Sequence, residues 1–139
     1  MSLTPNTARA ALETAFIAAW SAAHPTVPYF LEGLSAPDMT VQTTNFVMFE
    51  VGMPKIAQSG LNGATPPKRY QGQILVGLFV PEGAGTTTLF QMQATIENSL
   101  CVTTVSGIIL RDMEVFKRTP AIGWQGRHLE IPYQFDSLP

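Results

Sequence analysis

The segment RYQGQILVGLFV, residues 69–80, constrains this chain more than any other. Tyr70, Ile74, Val76, Leu78 and Val80 recur with a period of two, which places them on one face of a strand. Leu75 and Phe79 fall on the opposite face. A strand with bulky apolar groups on both sides needs cover on both. Pro81 ends the run, because proline has no N–H to give to a ladder.

The next residues, PEGAGTTT, raise a question of chemistry, since a glycine loop between a strand and a helix can cradle phosphate. A Walker-type loop needs G-x-x-x-x-G-K-[ST], with a lysine on the phosphates and a hydroxyl on magnesium. Here Gly83 and Gly85 stand two apart and no lysine follows. A dinucleotide fingerprint needs a third glycine at the helix start, where this chain has Thr88. The expected role is therefore a strand-to-helix turn, with Thr88 and Gln91 forming a capping box.

The flanking segments alternate between the two regular periods. Thr4-Pro5 opens a helix near 5–23, with Leu12, Ala15, Phe16, Ala19, Trp20 and Ala23 on one stripe and His24-Pro25 ending it. A short extended piece follows at 27–33. Residues 41–51 alternate as a strand, with Val41, Thr43, Asn45, Val47, Phe49 and Val51 on one face and Phe46, Met48 and Glu50 on the other. The 53–68 segment is rich in turn formers and predicts a long hairpin tip at Ser59–Ala64. Leu89, Met92, Gln93, Ile96 and Leu100 predict a second helix. Two closing strands are expected at 107–117 and 127–135, joined by TPAIGWQG, with Leu129, Ile131, Tyr133 and Phe135 inward. The expected fold is one α+β domain over 1–139: a mainly antiparallel sheet of about four to five strands, two helices packed on one face, and a long β-hairpin. Leu12, Phe16, Val76, Leu78, Ile96, Leu100, Ile131 and Tyr133 form the expected core.

Charge narrows the function classes. Only 13% of residues are charged, against about 25% in an ordinary globular domain. Such a surface fits a subunit whose faces are covered by neighbours, and equally a secreted binding domain. Net charge is −2 at pH 7, and the pairs Lys68-Arg69 and Lys117-Arg118 fit strand ends, so no basic face for nucleic acid is expected. Cys101 is the single cysteine, which excludes an intrachain disulfide. The N-terminal stretch, interrupted by Arg9 and Glu13, reads neither as a signal peptide nor as a membrane span. A soluble protein made inside the cell is expected, with no membrane partner.

Other reactive side chains offer no constellation. His24 and His128 lie far apart, and no Cys/His/Asp/Glu cluster has metal-ligand spacing. His24 fits a helix end and His128 the outward face of the last strand. Cys101 would need a base beside it to act as a nucleophile, and otherwise is an inert, buried thiol. Asp112 and Glu114 would share one face of a strand, which a solvated surface explains. Trp124 either marks a binding surface or covers the end of the core. No catalytic residue, cofactor site or metal site is expected.

Several stretches together carry a family likeness: ARAALETAFIAAW at the first helix, HPTVPYFLEG after it, RYQGQILVGLFVPEGAGTTTLFQMQATIENSL in the middle, and MEVFKRTPAIGWQGRHLEIPYQFD at the end. With the element order, they make the chain resemble the bacteriophage tail-terminator family, the minor tail protein U type of lambdoid phages. Residues 53–68 match no motif of that family. The resemblance implies a non-enzymatic virion protein that forms a ring, commonly a hexamer, on the end of the tail tube. There it stops tube growth and presents the surface that joins the head. Implied partners are copies of itself, the tail-tube protein and a head-completion or connector protein. DNA passes through without specific binding. The implied location is the virion tail, after assembly in the host cytoplasm. Two other readings fit the same residues: another ring subunit of a phage neck or tube, and a small ligand-binding α+β domain using the 81–88 loop.

For a ring, the expected subunit interface is the second sheet face, through Phe46, Met48, Leu75 and Phe79, together with the 53–68 hairpin. Lys55, Lys68 and Arg69 would stand at its margins. The competing expectation is that Leu75 and Phe79 pack under the N-terminal segment within one chain.

Overall fold

The computed structural model describes residues 3–32, 44–52, 54–58, 68–118 and 123–137. The expected hairpin tip at 59–64, the start of the 41–51 strand and the first half of the TPAIGWQG turn lie outside them. Among the described residues two helices, α1 (Pro5–Ala23) and α2 (Thr87–Leu100), accompany a sheet of eight strands. The strands are β1 (Tyr29–Leu31), β2 (Phe46–Val51), β3 (Lys55–Gln58), β4 (Lys68–Pro81), β5 (Thr104–Val105), β6 (Ile108–Leu110), β7 (Glu114–Arg118) and β8 (Trp124–Ser137). Their order is β1-β2-β4-β8-β6-β5, with β3 on β4 and β7 on β8. Only β1 and β2 pair in parallel among these. The α+β class is as expected, but the strand number is higher. The stretch expected as one strand at 107–117 splits into β6 and β7, both on β8, and β3 and β5 are additional.

Local chemistry explains where the helices begin. At α1, the Thr4 hydroxyl accepts from the Thr7 N–H at 3.2 Å, and the Thr7 hydroxyl accepts from the Thr4 N–H at 2.8 Å. Pro5 takes the first helical position, where no N–H is needed. The start of α2 differs from expectation. The helix begins at Thr87, its cap residue is Thr86, and no side-chain cap bond forms. Thr88 is already inside the helix, two residues past the cap.

The inner face of the sheet carries the main core. Val47, Phe49 and Val51 from β2, Ile74, Val76, Leu78 and Val80 from β4, and Leu129, Ile131, Tyr133 and Phe135 from β8 meet Leu12, Phe16 and Trp20 of α1 and Leu89, Met92, Ile96 and Leu100 of α2. The Phe16 ring lies on Phe49 at 4.3 Å between centroids. The polar ends of the large rings are satisfied: Tyr133 Oη donates to the Gly52 carbonyl at 2.8 Å, and Trp20 Nε1 donates to the Val27 carbonyl at 3.0 Å. Tyr133 crosses directly over Gly72, where an added Cβ would stand 2.8 Å from the ring. The expected core residues are all buried.

The expected 107–117 strand is broken. Ser106 (φ 51°) and Gly107 (φ 86°) form a tight turn between β5 and β6, as positive φ at both central positions of a two-residue hairpin requires. Then β6 pairs Leu110 with Tyr133, and β7 pairs Glu114 with Glu130. Between those pairs one chain advances four residues and β8 only three, so one residue is extra: a bulge. Its cause stands opposite. Pro132 has no N–H, and its carbonyl accepts from the Arg111 N–H at 2.9 Å, so the side of β8 that lacks a donor faces the bulge. Asp112 therefore lies in the break and does not share a strand face with Glu114.

Ile96 is 1% exposed between α2 and the sheet. Ile96→Ala should lower the unfolding free energy by roughly 2–5 kcal/mol in chemical denaturation, the usual cost of a large-to-small change in a packed core.

Candidate functional site

The 81–88 loop is a corner held by its own backbone. Gly83 (φ 90°) and Gly85 (φ 80°) both take the left-handed conformation, with open space where a Cβ would point. The Glu82 N–H donates to the Gly123 carbonyl at 2.7 Å and the Ala84 N–H to the Pro81 carbonyl at 3.2 Å. Gln125 Nε2 donates to the Gly85 carbonyl at 2.8 Å. Two amides that a phosphate cradle would present are thus engaged in the turn.

The outer sheet face is less simple than an exposed apolar patch. Phe46 and Phe79 are 0% and 3% exposed. They stack at 4.7 Å, Trp124 meets Phe46 edge-on at 5.2 Å, and Phe30 closes the other side at 5.8 Å. This second small core corrects the expectation that Phe46 and Phe79 stand free for a neighbour. Phe30 and Trp124 cover them within one chain, which is also why Trp124 opens β8 instead of lying in a turn. Met48 is exposed and Leu75 half-buried on the same face, and Lys55 and Lys68 are exposed at its end. Arg69 is committed within the chain, since its Nε and Nη2 donate to Asp136 at 2.9 and 3.1 Å. That hydrogen bond and charge hold the Asp136 carboxyl below its ordinary range.

Across the middle of this face runs an acidic row. Glu50 pairs with Leu75, Leu75 with Glu130, and Glu130 with Glu114. Glu32, just beyond β1, adjoins Glu50, and burial and then the Glu50 charge push its carboxyl up. His128 Nε2 lies 3.3 Å from Glu130. Toward the far end an open depression of about 520 Å³ is lined by Lys55, Gln71, Gln73, Leu75, Arg111 and Gln134. It is separated from the 81–88 loop by most of β4, ten residues or about 33 Å from Gln71 to Pro81.

The remaining candidates are structural in their surroundings. His24 Nε2 is 2.7 Å from Thr95 Oγ1 and the ring packs on Trp20 at 4.5 Å, which ties the end of α1 to α2. Burial lowers its pKa. Cys101 follows the end of α2, half-buried. Among the described residues no group of three His, Cys, Asp or Glu could hold a metal, and no helix is long and apolar enough to cross a membrane. The groups with shifted pKa (His24, Glu32, Arg69, Tyr133 and Asp136) are dispersed over both faces instead of gathering in one cleft. Of the interface residues named from sequence, Phe46, Met48, Lys55, Arg69, Leu75 and Phe79 fall on one face, Lys68 alternates to the helix side, and the acidic row was missed. It needs the register, which brings together residues 32, 50, 114 and 130.

Comparison with known proteins adds the fold's distribution. The chain is similar to a solved structure whose title gives no functional description, with a TM-score of 0.72 at 19% identity over 99% of each chain. It is also similar to a chain of a structure titled "Virion of native gene transfer agent (GTA) particle", with a TM-score of 0.59 at 14% identity, covering 93% of this chain and 94% of that one. At these identities the likeness is one of fold. No protein-family model matches the chain, and no curated protein does.

Gly83→Ala should cost about 1 kcal/mol or more in thermal or chemical unfolding, from backbone conformation alone, and calorimetry with ATP or GTP should give no binding heat. For His24, a lowered pKa means the unfolded chain takes the proton first. Stability should therefore be constant above the ordinary histidine value of 6.5 and fall as pH drops below it, until the folded form is also protonated. His24→Gln should flatten that part of the stability–pH curve.

Proposed function

We propose that this chain is a structural subunit of a phage-like virion, acting as a tail terminator. Copies form a ring, commonly a hexamer in such proteins, on the end of the tail tube, stop its growth and present the head-joining surface. The observation that carries the virion reading is the fold shared with a gene transfer agent virion chain over 93% of this chain. The terminator role within it rests on the sequence resemblance, above all RYQGQILVGLFVPEGAGTT. Its partners are then further copies, the tail-tube protein and a head-completion protein, and its place is the virion after assembly in the host cytoplasm. DNA passes through the ring without specific binding, which accords with few cations and a net charge of −2, since nonspecific affinity comes from Lys and Arg.

The outer sheet face serves the subunit contact. Met48 and Leu75 are its accessible apolar members, Lys55 and Lys68 stand at its margin, and Phe46 and Phe79 support it from beneath. Arg69 contributes by holding the end of the β4–β8 ladder through Asp136, not by pairing with a neighbour. A neck or tube ring subunit is the second reading, because the same fold likeness supports it equally. The open depression beside Gln71 is the feature that favours a small-ligand domain.

Native mass spectrometry of the purified chain should give a closed ring, and a persistent monomer would count against the reading. Leu75→Asp should leave the fold intact, because Leu75 is only half-buried, and weaken assembly. In the phage, tails should then overgrow or lack heads. Tails of normal length joined to heads would remove this face from the contact.

A further inference from the structure

We infer that the outer sheet face is self-complementary and packs on the same face of a second copy of this chain, about a twofold axis running across the strands. The inference goes beyond the ring reading and stands without it. A twofold contact closes at two copies, and a ring contains it only by alternating it with a different contact. Directly paired residues share a face, so register maps the outer side row by row. At the level of Leu75 the row is Glu50, Leu75, Glu130, Glu114. At the level of Gln73 stand Pro132 and then Arg111, whose N–H donates to the Pro132 carbonyl. At the level of Gln71 the row is Lys55, Gln71, Gln134, Ile109. In the other direction, at Gly77, it is Met48, Gly77, His128, Phe116.

Charge divides this face along the strands. Lys55 and Arg111 flank the open depression of about 520 Å³, and no carboxylate is among its described lining residues. Glu50 and Glu114 stand at the two ends of the acidic row. None of these four has an ion pair among the described residues. Glu50 and Lys55 lie on the β4 flank, while Glu114 and Arg111 lie on the β8 flank. A half-turn about an axis across the strands reverses position along them and keeps each flank on its own side. With the axis at the level of Gln73 on the β4 flank, Glu50 comes over Lys55 of the second copy. With it at the level of Ile74 on the β8 flank, Glu114 comes over Arg111 of the second copy. The same half-turn sets Phe116 (43% exposed) over Ile109 (41% exposed) of the second copy. Symmetry makes every one of these contacts twice.

The other face-to-face half-turn, about an axis along the strands, keeps position along them and exchanges the flanks. It would set Glu50 over Glu114 and Lys55 beside Arg111, like charge on like, which suppresses association. Charge thus selects one orientation of the two. The selected axis shifts by one residue, about 3.4 Å, across three strand spacings of about 4.8 Å, which inclines the strands of the two sheets by roughly 25°. Aligned sheet packings have an angle of about 30°. The face is also large enough. Four strands about 4.8 Å apart, over about ten residues of about 3.4 Å rise, give roughly 650 Å² per copy. The two copies together reach the lower end of specific contacts, which bury about 1,200–2,000 Å².

Charge reversal and a cross-link test the contact. Lys55→Glu/Arg111→Glu leaves both halves of the face acidic, and Glu50→Lys/Glu114→Lys leaves both basic. None of the four side chains is buried, so both variants should fold as the unmodified chain does, as circular dichroism and thermal unfolding would check. At low salt, sedimentation should show each variant alone pairing at least about ten-fold more weakly than the unmodified chain. An equimolar mixture should recover pairing as mixed dimers, and a chain carrying all four reversals should pair with itself. Gln73 lies on the axis, and only a twofold contact brings a residue to its own counterpart. Chains carrying Gln73→Cys with Cys101→Ser should therefore be joined to one another by a short bis-maleimide. Folded variants that associate as strongly as the unmodified chain, or Gln73→Cys chains that are not joined, overturn the twofold contact; a closed ring seen in the same samples leaves the ring reading standing. A dimer that forms no larger species supports the contact and counts against the ring. An unmodified chain that stays monomeric at the highest soluble concentration overturns the contact.

Discussion

Two fourteen-residue strands, β4 and β8, pair along their whole length, from Lys68 opposite Ser137 to Pro81 opposite Trp124. Every other strand except β1 and β5 attaches directly to one of them. Because side chains alternate, this one register fixes both faces at once. It sends Ile74, Val76 and Leu78 with Leu129, Ile131 and Tyr133 to the helices, and Phe79 with Trp124 to the outer side. A slip by one residue would exchange the two sets and leave both helices without a surface. The Tyr133 hydroxyl on the Gly52 carbonyl and the Arg69–Asp136 pair pin the lower half, and the Phe46–Phe79–Trp124 cluster pins the upper.

That ladder was legible because its two strands announce themselves independently. Residues 69–80 and 127–135 each alternate, and the inward residues named from periodicity are buried except Tyr70, which is half-buried at the start of β4. The helices were equally legible, since their stripes at three- and four-residue spacing have no competing period. What could not be read is what depends on pairing between distant segments. Phe46 and Phe79 look like an exposed face in sequence, because nothing local states that Phe30 and Trp124 cover them. The capping of α2 failed for the opposite reason: three consecutive threonines offer three starts, and local sequence does not choose among them. The acidic row is invisible for the first reason, since its members lie on four separate segments.

The outer face combines features that a finished, solitary surface would not need. Its apolar end is sealed by its own aromatic cluster, so the exposed Met48 is not a remnant of poor packing. Beside it, carboxylates from β2, β7 and β8 share one level, an arrangement whose repulsion burial makes worse at Glu32. The Tyr133 and Trp20 polar groups are satisfied internally, so the core itself asks nothing of a partner. The interior is thus complete, while like charges gather on the outer face.

Pro132 connects the sequence to that periphery most directly. Without an N–H it cannot carry the ladder from β8 to the next strand, and the bulge opposite it adds one residue between Leu110 and Glu114. An extra residue reverses which side chains face which way beyond it. In the unbulged register of β6, Val115 would meet His128 on the outer face, and Phe116 would turn to the helix side. With the bulge, Val115 lies opposite Leu129, and Phe116 lies outward with its ring 6.1 Å from His128. β6 continues into the β5 hairpin and is covered by it, whereas β7, re-phased and displaced, ends the sheet with its far side open among the described residues. A single missing donor thus separates a covered edge from an open one, and sets which apolar groups the open edge shows on each face.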